Sequence, residues 1–109
     1  MRSPAFFAAV ATVTIAFITS PASAARTANV SLEDVRFTPS SVQVKRGDRV
    51  RWTWNDGATP HNVSSRGTLR FRSSSTKTRG IYVVRFNQAG THRYLCTIHP
   101  GMAGKVVVR

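Results

Sequence analysis

In the stretch RVRWTWN, residues 49–55, Val50, Trp52 and Trp54 point one way while Arg49, Arg51, Thr53 and Asn55 point the other. Strict alternation of this kind marks a strand with one buried face, because successive side chains of an extended backbone leave on opposite sides. The same period recurs in Ala28, Val30 and Leu32, in Val42 and Val44, and in Tyr82, Val84 and Phe86. Turn-forming residues separate these runs, at TPSS (38–41), KRGD (45–48), NDGATP (55–60) and NQAG (87–90). Nowhere after Ile18 do apolar residues recur at helical spacing over a long window. The pattern argues for an all-β chain folded as an antiparallel β-sandwich or barrel, and a Greek-key antiparallel β-sandwich of about seven to eight strands is the expectation. The serine-rich segment 64–80 reads as a long surface connection across an edge of that sandwich, with one short strand around Leu69 to Arg72.

The first 24 residues stand apart from this pattern. MRSPAFFAAVATVTIAFITSPASA has a positive charge at Arg2, an apolar run from Ala5 to Ile18, and small residues at Ala22 and Ala24. That is the build of a secretory signal peptide cleaved after Ala24, and the run is shorter than the ~20 apolar residues that span a bilayer. Residues 25–109 then form a single domain, exported to a periplasmic or extracellular space. In that oxidising setting the single cysteine, Cys96, has no partner in its own chain, so it is buried, bridged to another molecule or bound to metal.

Without Arg2 the 16 basic residues become 15, against 4 acidic ones, and the mature charge is +11. Export and the lack of interleaved aromatic platforms argue against nucleic acid as the partner. Much of this charge reads as a solvated surface. An acidic protein partner, and an anionic membrane or envelope surface that holds the chain weakly, remain the fitting alternatives.

The chemistry concentrates in YLCTIHPGM, residues 94–102. Cys96 ends a strand, His99 lies in the following turn, and Pro100 and Gly101 bend the chain before the last strand, GKVVVR, so that the Met102 thioether comes near the thiol and the imidazole. Alone, C-x-x-H-x-x-M also describes a small buried thiol with a core-filling methionine. A fourth soft or borderline donor, His61, lies 35 residues upstream of Cys96, in the turn after the two-tryptophan strand. Two imidazoles and a thiolate in a plane with a weak axial thioether are the donor set of a blue-copper site, and zinc fits this set less well. His92 is four residues from Cys96 on one strand, about 13 Å at 3.3 Å per residue, too far to share the ion.

VRFTPSSVQVKRGDRVRWTWNDGATPHNV and FNQAGTHRYLCTIHPGMAGKVVV resemble the paired signatures of plastocyanin-type cupredoxins, over essentially the whole mature chain. The short spacing from His99 to Met102 is similar to the compact ligand loop of amicyanin. The resemblance implies one type 1 copper ion, with His61, Cys96 and His99 as equatorial ligands and Met102 as the axial one. It further implies that Asn62 offers its N–H to the cysteine sulfur and ties the ligand loops through its side chain, with Pro100 supporting the loop. Electrons would pass at a surface of His99, Pro100, Gly101, Ala58 and Pro60. His92 and Ile98 depart from the family pattern, and Ile98 bears on how rigid the loop is.

The expected function is therefore that of a monomeric, exported one-electron carrier, not an enzyme, whose redox partners present an acidic docking surface. The alternative is a copper-binding or copper-delivery protein that uses the same ligands without a redox partner. A Cys96 nucleophile with His61 or His99 as base is disfavoured, since no oxyanion framework is evident and the thiol belongs to a fuller donor set.

Overall fold

The inward faces predicted by alternation do meet. In a computed structural model describing residues 8–17 and 24–109, Val50, Trp52 and Trp54 of β4 (Arg49–Trp54) are buried while Arg49 and Arg51 are exposed. Seven further strands accompany it: β1 (Thr27–Glu33), β2 (Arg36–Thr38), β3 (Ser41–Val44), β5 (Ser64–Arg66), β6 (Ile81–Arg85), β7 (Gly90–Leu95) and β8 (Ala103–Val108). They form two four-stranded sheets, ordered β2-β1-β4-β6 and β3-β8-β7-β5. Among the described residues every strand and the hydrophobic core fall between Thr27 and Val108.

The eight-stranded sandwich agrees with the expectation, while its strand pairing is mixed. Four of the six ladders are antiparallel; β1 with β4 and β3 with β8 run parallel. The cause lies in the connections. The chain changes sheet between β2 and β3 and again between β3 and β4, so β4 enters its sheet from the same end as β1. Alternation reports which side chains face inward and carries no information on strand direction.

Trp52 is the centre of the core. Its ring stacks on Phe71 at 5.8 Å between centroids and meets Tyr94 edge-on at 5.3 Å. Such aromatic pairs add about 0.5–1.5 kcal/mol beyond the area they bury. Phe71 belongs to the segment read as a surface connection, and it corrects that reading: the segment covers the core on one side. The strand expected at Leu69–Arg72 is absent. Ser64–Arg66 pairs instead with β7, and Leu69 packs over Gly90, where a Cβ would lie 2.4 Å from its Cδ1.

The two ends of the sandwich differ. One gathers the β1–β2, β4–β5 and β7–β8 connections. The other gathers the β3–β4 and β6–β7 turns with Arg26 and Arg109, tied by hydrogen bonds from Arg49 N to Arg26 O (2.8 Å) and from Arg46 N to Arg109 O (3.1 Å). Residues 8–17, within the expected leader, are exposed and carry no helix or strand, while most of its other positions, Ala22 among them, lie outside the described residues. Among the described residues no helix is long and apolar enough to cross a membrane.

Candidate metal centre

Two loops at the first end carry the predicted donors. Residues 55–63, between β4 and β5, present His61; residues 96–102, between β7 and β8, present Cys96, His99 and Met102. The second loop is closed on itself, with Cys96 N donating to Met102 O (2.9 Å) and Met102 N to His99 O (3.1 Å). The latter bond spans a four-residue turn with Pro100 second and Gly101 third, and Gly101 has φ +84°. That is a type II turn, in which proline pre-sets the first corner and glycine accepts a φ that other residues resist. Pro100 thus supports the loop through its backbone.

The structure brings His61, Cys96 and His99 together. His61 Nδ1 lies 4.0 Å from Cys96 Sγ, and one ligating atom from each of the three residues falls within 4.8 Å of the others. The His61 and His99 rings are tilted at 56° with centroids 4.7 Å apart. His61, Cys96 and Met102 are buried and His99 is half-buried.

Both imidazoles are held in a defined tautomer by acceptors of the chain. His61 Nε2 is 2.7 Å from Asp56 Oδ2, and His99 Nε2 is 2.8 Å from the Pro60 carbonyl. A carbonyl and an ionised carboxylate can only accept, so each Nε2 carries a hydrogen, and in the neutral ring that leaves the lone pair on Nδ1. The hydrogen bond from His61, followed by that from the Val35 N–H, holds the Asp56 carboxyl below its usual 3.8. Asp56 therefore stays an anion behind His61. The same carboxylate accepts from Asp34 N (3.2 Å) and Val35 N (3.0 Å), joining the β1–β2 turn to the site.

Asn62 links the loops through its side chain. Its amide donates to Thr97 Oγ1 (2.7 Å) and Thr76 Oγ1 (2.9 Å), and its carbonyl oxygen accepts from Thr97 N (3.0 Å). The implied hydrogen bond from the Asn62 N–H to the Cys96 sulfur is not present among the described residues. His61 is fixed along its backbone too: it exchanges 3.0 Å hydrogen bonds with Lys77 in both directions, and Trp54 Nε1 donates to its carbonyl at 2.9 Å.

Asp56, Thr97, Thr76, Trp54 and Lys77 are the supporting residues that the sequence reading missed. Only Asp56 had a local signal, as an acid five residues before a ligand histidine. His92 stands apart from the cluster, as its distance along β7 required. It is buried edge-on against Phe86, with Nε2 donating to the Gln88 carbonyl at 2.9 Å. Ile98 is 44% exposed on the loop surface. Of the expected electron-transfer surface, Ala58, Pro60, Pro100 and Gly101 are exposed around a half-buried His99, whose outward nitrogen is taken by Pro60.

The donor set fits copper. Metal–nitrogen and metal–sulfur bonds of about 2.0–2.3 Å separate in-plane donors by roughly 3.5–4 Å, so the spacing here leaves room for a single ion. A thiol, two imidazoles with free Nδ1 lone pairs and a buried thioether in the same loop suit an ion alternating between a soft and a borderline state. An all-β sandwich with this cluster at one end defines a type 1 copper protein.

Comparison with known proteins agrees with that class. Residues 24–109 match the family of copper binding proteins described as plastocyanin/azurin. Amicyanin of Paracoccus versutus is 36% identical over 83 residues, covering 72% of this chain and 62% of that protein. Amicyanin-alpha of Methylorubrum extorquens is 40% identical over 83 residues, covering 72% and 69%. A solved structure of an amicyanin mutant in its Cu(I) form superposes with a TM-score of 0.65 at 37% identity, covering 76% of this chain and 82% of that one. The chain belongs to the plastocyanin/azurin family of copper binding proteins. It spans somewhat less than two thirds of the length of the Paracoccus versutus relative.

Proposed function

We propose that the protein is an exported one-electron carrier, with residues 1–24 a cleaved signal peptide, 25–109 a single domain, and a periplasmic or extracellular site of action. His61, Cys96 and His99 are the equatorial ligands and Met102 the axial one. The observation that carries this reading is the convergence of the three donors within 4.8 Å, drawn from two loops. Copper bound there supplies one-electron exchange between Cu(I) and Cu(II). The chain contributes a fixed donor geometry: Asp56 and Pro60 orient the imidazoles, Asn62 clamps the loops, and the Pro100–Gly101 turn sets the spacing from His99 to Met102. Because these contacts form within the protein itself, little must rearrange when the charge at the site changes, which favours fast exchange.

The exposed Ala58, Pro60, Pro100 and Gly101 around His99 form the surface that meets redox proteins. A net charge of +11 hastens encounter with acidic partners and makes it sensitive to salt. The chain acts as a monomer, without nucleic acid, and an anionic envelope surface is a second, weaker partner.

The test adds Cu(II) to residues 25–109 and records the visible absorption and electron-spin spectra. An intense thiolate-to-copper band is expected, absent in Cys96→Ala, and stable through repeated reduction and reoxidation. No band refutes the assignment, while release of copper on reduction supports delivery in place of electron transfer.

A further inference from the structure

Fifteen basic residues lie from Arg26 onward, and among the described residues none of their side chains forms a salt bridge with a carboxylate; the one contact of that kind is the hydrogen bond between Asp56 and His61. The fold sorts this charge. Glu33, Asp34 and Asp56, three of the four acids, lie at the copper end, where they offset Arg36, Lys77 and Arg79. The opposite pole gathers Arg26, Lys45, Arg46, Arg49, Arg85 and Arg109. Its single acid, Asp48, has both oxygens taken by backbone, from Arg26 N (3.0 Å) and Lys45 N (2.8 Å).

Main-chain bonds hold these cations close. Arg49 N donates to Arg26 O, Arg46 N to Arg109 O, and the Arg85 side chain to Gly47 O at 3.1 Å. Arg49 and Arg85 stand directly opposite each other across β4 and β6, a like-charge pairing that costs stability and that an anionic partner relieves. Two clefts open here, one lined by Arg26, Lys45, Arg46 and Arg85, the other by Arg26, Lys45 and Arg109. The molecule therefore has a positive end, and it points away from the copper.

We propose that this pole is a docking surface for an anionic lipid bilayer, which holds the copper end outward toward soluble partners. The proposal deepens the envelope association given above and does not depend on metal. Two further features favour lipid. Among the described residues no exposed aromatic lies among the pole cations to stack nucleobases; Phe86, beside Arg85, is buried. The pole cations come from four separate stretches spread over one end of the sandwich, and none of them borders the ligand loops, so a broad anionic surface meets them without covering the copper site. Cations at a bilayer surface each strengthen binding about fivefold.

Residues 25–109, with and without copper, are sedimented with vesicles of phosphatidylglycerol in phosphatidylcholine and with phosphatidylcholine alone. Binding to the anionic vesicles only, weakened by salt, is expected. Neutralising Arg46→Gln, Arg49→Gln and Arg109→Gln together should cost on the order of a hundredfold. Neutralising Arg72→Gln, Arg93→Gln and Lys105→Gln, which removes the same net charge elsewhere, should cost less than about tenfold, because their fields are screened over a Debye length. Cooperative thermal unfolding with midpoints no lower than that of the unmodified chain verifies that both triples fold. Equal losses in the two triples overturn the proposal, as does failure of the unmodified chain to bind. Capture of an acidic protein through the pole while vesicles are ignored overturns it as well. None of these results alters the copper spectrum, so a failure here is separate from a failure of the copper assignment.

Discussion

Asp56 receives three hydrogen bonds on two oxygens, from His61 Nε2 and from the N–H groups of Asp34 and Val35. A carboxylate behind a ligand imidazole makes Nδ1 a better donor and favours the higher charge state of the ion. Asp56→Asn keeps an acceptor and removes the charge. The preference for Cu(II) over Cu(I) should fall about tenfold, a rise in reduction potential of about 59 mV for a one-electron couple. Redox titration reads this directly, and an unchanged potential would show that the carboxylate only orients the ring. The residues that bind metal were legible in the sequence because their chemistry resides in the side chain: a lone exported thiol, two imidazoles and a thioether. Asp56, Thr97 and Trp54 were not legible, because an acid, a hydroxyl and an indole have many uses, and only folding brings these to the ligands.

The β1–β2 connection puts Asp34 and Val35 both at positive φ, 51° and 55°, the two-residue turn that matches strand twist and prefers Asn-Gly or Asp-Gly. A β-branched residue there is strained. Val35→Gly should stabilise the fold by about 1 kcal/mol, seen as a higher denaturation midpoint. Gly101 is the reverse case. A Cβ there meets nothing within 4 Å, so Gly101→Ala carries backbone strain alone and should cost about 1–2 kcal/mol, read in the same melt. A neutral result would mean that the ligand turn adapts. Alternation identified β1, β4 and β6, where three residues repeat at period two, and β3, where two do. It misplaced the short one, because Leu69–Arg72 has the pattern without a neighbouring edge, while the serines of β5 have the edge without an apolar pattern.

For the molecule as a whole, composition announced the excess of positive charge but not its location, since the cations of the far pole come from separate stretches joined only by the Greek-key path. Asp48 is the keystone of that pole. Hydrogen bonds from the Arg26 and Lys45 backbone hold its carboxyl below the usual 3.8. A lowered folded-state value means that its contribution is complete above 3.8 and lost as the pH falls through the lower one. Asp48→Asn should therefore be less stable than the unmodified chain at neutral pH, with the gap closing in acid well below 3.8. Denaturant midpoints at the two conditions check this, and a constant gap would exclude the linkage. The chain enters the sandwich at Arg26 and leaves it at Arg109, both at the end remote from the ligand loops. A linker, a fused domain or an electrode coating joined at either end would then leave the copper loops unobstructed, so the molecule could be wired to a surface without redesigning its metal site.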